Sequence, residues 1–165
     1  LSGPDGGAYD EAWSEEEIAA LEAYVADGGL LVLTNSAHRL KYGNSTMDPN
    51  EDWSDANALA EQFGVRYHDG TLASTQASTT GDSPLVEGIK ALEMPPGNGL
   101  SFTLDGTVDG QILAQASGEP AVALVDHGPN GGQVLVLADA GILGSSWGPP
   151  ANLVFWRNLA RYAHR

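Results

Sequence analysis

Residues 14–36 read Ser14-Glu-Glu-Glu-Ile-Ala-Ala-Leu-Glu-Ala-Tyr-Val-Ala-Asp-Gly-Gly-Leu-Leu-Val-Leu-Thr-Asn-Ser36. The order of residue types predicts a capped helix, a glycine stop and a short apolar strand. Ser14 is a good N-cap, and Glu17 three residues later completes a capping box. Glu15 and Glu16 favour the positive end of the helix dipole. Ile18, Leu21 and Val25 share one face at helical spacing, with Tyr24 beside them. Gly28 and Gly29 supply the left-handed stop. Leu30–Leu33 has no polar alternation, as expected of a strand covered on both faces. In open α/β sheets, ligands gather just past the carboxyl ends of such strands. Thr34, Asn35 and Ser36 are therefore the first place to look for chemistry.

Working outward, residues 36–53 form a long polar connection. Ser54 or Asp55 is expected to cap a second helix with Leu59, Ala60 and Phe63 on its apolar face. Gly64 ends that helix, and Val65–Tyr67 reads as a short strand. Residues 69–83, rich in Thr, Ser and Gly, read as a second exposed connection. Pro84–Ile89 reads as one helical turn or a packed loop. Leu100–Leu104, Ile112–Ala116, Ala121–Asp126 and Gln133–Ala138 are strand candidates. Gly128-Pro-Asn-Gly-Gly132 between the last two is a hairpin signal. A helix near Asn152–Ala163 closes the chain, with Leu153, Trp156, Leu159 and Ala160 as its expected core face.

Composition sets outer bounds. The 165 residues suffice for one domain with a real core, and 42% are hydrophobic. No apolar run approaches the roughly 18–20 residues that span a bilayer. Asp and Glu total 22 against 7 Lys and Arg, for a formal net charge of -15. Such a surface repels nucleic-acid phosphates and anionic membranes. It suits cations, neutral ligands such as sugars, or basic partners, and it also serves solubility or a salty medium. There is no cysteine, which removes disulfides, zinc–thiolate sites and cysteine nucleophiles.

Five stretches, in order, carry a resemblance: Ser14–Asn35, Asn57–Tyr67, Ser83–Leu92, Glu119–Asp139 and Asn152–Tyr162. In that order the chain resembles the class I glutamine amidotransferase-like superfamily, in its bacterial branch of uncharacterised, mostly non-catalytic domains. The resemblance implies an α/β fold. It would be a flavodoxin-like, three-layer sandwich with a mostly parallel sheet and an antiparallel C-terminal edge hairpin. It further implies a single domain over residues 1–165, with a first strand and helix expected before Leu1. Active members of that superfamily carry a cysteine on the turn after the strand matching Leu30–Thr34, and a His-x-Glu pair after a later strand. Here the turn holds Asn35 and Ser36, and the later strand ends in Asp139-Ala-Gly141. The resemblance thus argues against glutamine hydrolysis.

Three candidate sites follow. Ser36 as nucleophile, His38 as base and Asp139 as orienter have the residue types of a hydrolase triad, although the Gly-x-Ser-x-Gly elbow is absent. Asp48, Asn50 and Asp52 alternate as oxygen ligands do in calcium loops. Trp53 takes the glycine position of an EF-hand, however, and Leu59 stands where the bidentate Glu belongs. Trp13, Tyr42, Trp53 and Trp147 lie in loops or at element ends beside Asp and Asn, a composition that holds neutral carbohydrate. Asp126-His127 belongs to the hairpin, where His127 is expected as an exposed turn residue.

The expectation is a non-catalytic binding or structural module of a larger, extracytoplasmic bacterial protein. Its ligand surface would comprise Thr34, Asn35, Ser36, His38, Asp139, Ser145 and Trp147. No cofactor is implied, and calcium is the one candidate ion. The expected partner is a neighbouring domain or protein, or a neutral carbohydrate. Nucleic acid and membrane insertion are not expected, and a sheet edge left open would favour a dimer.

Overall fold

The computed structural model describes residues 13–35, 53–96, 99–143 and 150–164. Among these the chain runs α1 (Glu15–Ala26), β1 (Leu30–Thr34), α2 (Ser54–Ala60), a 3-10 turn (Glu61–Phe63), β2 (Val65–Thr71), β3 (Gln76–Thr79) and β4 (Ala91–Glu93). It continues through β5 (Leu100–Leu104), β6 (Gly110–Ala116), β7 (Glu119–His127), β8 (Gly132–Leu137), a second 3-10 turn (Ala140–Leu143) and α3 (Pro150–Tyr162).

The opening unit forms as its residues dictate. The Glu17 N–H donates to Ser14 Oγ at 3.2 Å, and the Ser14 N–H donates to the Glu17 carboxylate at 2.9 Å. At the other end Gly28 N–H reaches Val25 O and Gly29 N–H reaches Tyr24 O. Gly28 sits at φ 100°, the left-handed closure that an L side chain would strain. Val25 is fully buried, whereas Tyr24 lies outside. The end of α1 is seated directly on the β7–β8 hairpin. A Cβ placed on Gly132 would fall 1.6 Å from Val25 O, so main chain rests on main chain there.

The sheet corrects the expected layout. Six strands are ordered β1-β8-β7-β6-β3-β4, and β2 pairs with β5 in a separate two-stranded sheet. Only β1–β8 is parallel, with Thr34 opposite Leu137, and that pair lies at the margin of the described sheet, not its centre. All other described pairs are antiparallel. The domain is therefore mostly β, and not a three-layer parallel α/β sandwich.

The reason lies in the connections. Parallel neighbours need a crossover of about a dozen residues or more, whereas antiparallel ones accept tight turns. Ala116 faces Glu119 across Ser117-Gly118, both at positive φ, a hairpin turn whose twist matches its strands. His127 faces Gly132 across the turn that Gly128-Pro-Asn-Gly announced.

Other differences are local. Residues 69–83, expected as a loop, contain β3, and β4 follows the packed loop in which Leu85, Val86 and Ile89 are buried. Neither Ser54 nor Asp55 occupies the cap of α2. Trp53 does, at φ 58° and without a side-chain cap bond. Such a conformation costs about 1–2 kcal/mol, which burial of the indole, 6% exposed, offsets. The face of α3 is also rotated from expectation. Asn152, Phe155 and Leu159 are buried, while Leu153 and Trp156 are exposed.

Two asparagines explain much of this docking. The Glu93 N–H donates to Asn152 Oδ1 at 3.0 Å, and Asn152 Nδ2 donates to Glu93 O at 2.9 Å. The same pattern recurs on β2. There the Tyr67 N–H donates to Asn57 Oδ1 at 2.8 Å, and Asn57 Nδ2 donates to Tyr67 O at 3.0 Å. Each amide takes the place of a neighbouring strand. At the far end of α3, Tyr162 Oη donates to Gln133 Oε1 and Gln133 Nε2 donates to Asp126 Oδ1, each at 2.6 Å. One continuous apolar cluster, including Phe63, Phe102, Leu113, Leu135 and Phe155, fills the space between these elements.

Two outcomes are expected. Asn152→Leu lowers stability by roughly 2–4 kcal/mol, because it strands a buried N–H and carbonyls; a shifted urea midpoint at unchanged m checks it. Hydrogen bonds from the backbone and side chain of Ser14 hold the Glu17 carboxyl below its ordinary range. Stability from this cap is thus present above the unfolded carboxyl pKa and lost as pH falls through the lower folded value. Ser14→Ala should cost about 1 kcal/mol and return the Glu17 titration, followed by NMR, toward its ordinary position.

Candidate functional site

Because β1 and β8 run parallel in register, their carboxyl ends lie side by side. This brings Thr34 and Asn35 to the same edge as Asp139. Asn35 is 7% exposed and Asp139 2%. Asp139 is engaged by its own turn. Its Oδ1 accepts the Gly141 N–H at 2.5 Å, and its main-chain oxygen accepts the Ile142 N–H at 3.2 Å. The carboxylate thereby holds the start of the 3-10 turn at Ala140–Leu143. From there Asn152 Nδ2 donates to Ile142 O at 3.2 Å, and the Trp156 indole N–H donates to Leu143 O. The end of β8, the turn and α3 form one hydrogen-bonded unit.

Ser36, His38, Ser145, Trp147 and Tyr42 lie outside the described residues, as do Asp48, Asn50 and Asp52 of the proposed calcium loop. Among the described residues, no group of three or more His, Cys, Asp or Glu side chains is placed to hold a metal ion. No described helix is long and apolar enough to cross a membrane. The aromatic set read as a carbohydrate surface is changed. Trp53 is buried in the core and Trp13 packs against it, so the ring of Trp53 offers no face to a sugar. His127 packs edge-on against Phe63 at 5.0 Å between ring centroids, a core-margin role and not that of a free turn residue.

Sequence reasoning missed a small, partly open cavity beneath the end of β1. It is lined by Trp13, Leu33, Thr34, Asn35, Ala56, Leu59, Ala60 and Tyr67. Tyr67 is 4% exposed, its ring edge-on to Phe102 at 6.0 Å. Burial pushes its phenol well above the ordinary range, so the hydroxyl stays protonated. The alternation Val65, Tyr67 marked an inward position, but nothing in the sequence paired it with Trp13 or Thr34.

The chain matches no protein-family model and no curated protein sequence. Its fold resembles the mmIFT52 N-terminal domain, with a TM-score of 0.64 at 13% identity over 93% of this chain and 72% of that one. It also resembles a cytoplasmic protein from Salmonella typhimurium LT2, with a TM-score of 0.59 at 20% identity over 88% and 60%. A third likeness is to the β-galactosidase from Rahnella sp. R3, with a TM-score of 0.53 at 15% identity. That match covers 91% of this chain and 21% of the enzyme. At such identities the likeness concerns the fold alone. These neighbours and the mostly antiparallel sheet replace the flavodoxin-like, amidotransferase-like assignment. The helix–glycine–strand unit of residues 14–35 forms, but one such unit does not make a parallel sheet.

Asp139 separates a structural from a chemical role. Asp139→Asn keeps an oxygen for Gly141 and should stay within about 1 kcal/mol of the parent. Asp139→Ala, which leaves that N–H unpaired, should cost roughly 1–3 kcal/mol. Thermal unfolding of the two variants side by side checks the pair.

Proposed function

We propose that this domain is a non-catalytic binding or structural module seated against a neighbouring domain or protein through the outer face of α3. The observation that carries this reading is Trp156. Its ring is 44% exposed beside Leu153, itself 53% exposed, and its indole N–H is already satisfied by Leu143 O. The ring is held in one orientation, so little freedom is lost when a partner covers it. Rigid Trp and Arg side chains are the groups that anchor interfaces.

Charge favours the same face. Arg157 and Arg161 are exposed on α3, in a chain with only 7 Lys and Arg against 22 Asp and Glu. An acidic partner surface would complement this helix and be repelled by most of the remaining chain. Two further observations support the reading. Asp139, the third member of the hydrolase alternative, is committed to the turn it holds. The fold also recurs as an N-terminal domain and within a much longer β-galactosidase chain, as a module would.

Hydroxyl-radical footprinting tests this. Oxidation of Leu153 and Trp156 is compared between the purified 165-residue domain and the protein in its cellular assembly. We expect at least threefold slower oxidation in the assembly; equal rates at both residues would falsify the proposal.

A further inference from the structure

Three residues from distant parts of the chain line the cavity beneath β1, and each carries one buried polar atom without a partner in the protein. The atoms are Trp13 Nε1 just before α1, Thr34 Oγ1 at the end of β1, and Tyr67 Oη on β2. Asn35 lines the same space. An unsatisfied buried hydroxyl or indole N–H is costly, and native proteins rarely leave several together. Trp53 Nε1 is likewise buried without a partner but Trp53 does not line this space, whereas Trp13, Thr34 and Tyr67 share it.

We infer that this cavity is a binding site for one ordered water molecule, bridging Trp13 Nε1, Thr34 Oγ1 and Tyr67 Oη. The size fits. The space available to the centre of a water-sized sphere is about 10 Å³, near the minimum for one water and too little for an organic ligand. The chemistry fits as well. The indole can only donate, so the guest must accept; the two hydroxyls can do either. A water accepts from Trp13 Nε1 and Tyr67 Oη and donates to Thr34 Oγ1. The three lining groups are neutral, which disfavours an ion. Tyr67 remains a donor because its phenol stays protonated.

The position gives this water a role. Thr34 belongs to the six-stranded sheet and Tyr67 to the two-stranded one, while Trp13 leads into α1. The guest therefore ties both sheets to the entry of the first helix, where apolar packing alone would leave three polar atoms stranded.

A crystal structure of the 165-residue chain at about 1.5 Å resolution tests this directly. Expected is one spherical density peak within about 2.6–3.2 Å of all three atoms. In solution, a water cross-peak to the Trp13 indole proton should report a long residence time. Tyr67→Phe then removes a partner the water uses, and Tm should fall by about 2–4 °C. A dry cavity, a peak touching fewer than three of the atoms, or density larger than a single oxygen overturns the inference. So does a rise in Tm for Tyr67→Phe, the response expected if the hydroxyl were merely stranded.

Discussion

The arrangement depends on one requirement: a strand margin buried beneath a helix must still have its N–H and C=O groups paired. Asn152 meets it for Glu93 and Asn57 meets it for Tyr67, each with a side-chain amide that imitates a further strand. Such pairing is directional where apolar contact is not. Once Asn152 faces β4, Phe155 and Leu159 must point inward, and Leu153 and Trp156 must point outward. The exposed patch on α3 is thus a geometric by-product of a buried amide. The same amide reaches Ile142 O, so the turn held by Asp139 is located relative to the helix as well.

This explains which parts of the fold were legible in the sequence. The capping box, the Gly28–Gly29 stop and the Gly128–Gly132 hairpin depend on residues a few positions apart, and each formed as read. The strands β5 to β8 were visible as apolar runs. The face of α3 was not, because Leu153, Trp156, Leu159 and Ala160 fit a helical period as well as Asn152, Phe155 and Leu159 do. A hydrophobic count assigns asparagine to solvent, so it selects the wrong face. Strand β3 was hidden for a similar reason: Gln76–Thr79 is polar, yet it pairs on both sides, with β4 and β6. Parallel against antiparallel order was misjudged because one helix–glycine–strand unit suggested a parallel sheet, whereas only β1–β8 pairs that way and β3, β4, β6 and β7 join it through antiparallel pairs.

The candidate site was legible by place and not by use. Strand ends predicted where Thr34, Asn35 and Asp139 would gather. They could not show that a carboxylate would be engaged by a backbone N–H two residues on, nor that Tyr67 and Trp13 would close a space beside Thr34. Charge was equally indirect. Excess acid advertised a surface property, while the described ion pair of Arg66 with Glu61, 3.0 Å apart and exposed on both sides, is of a kind that contributes little. What holds the domain is apolar burial and satisfied main chain.

The contact of Gly132 with the end of α1 has an evolutionary consequence. Two backbones meeting without side chains between them form a joint that can neither be padded nor loosened by ordinary substitution. Exposed positions on α1 can drift in identity so long as they stay helical, whereas a Cβ at position 132 would collide with Val25 O. As related sequences diverge beyond recognition, that glycine and the spacing from it back to Gly28 should outlast the apolar residues around them. They would then identify members of this fold that share almost nothing else.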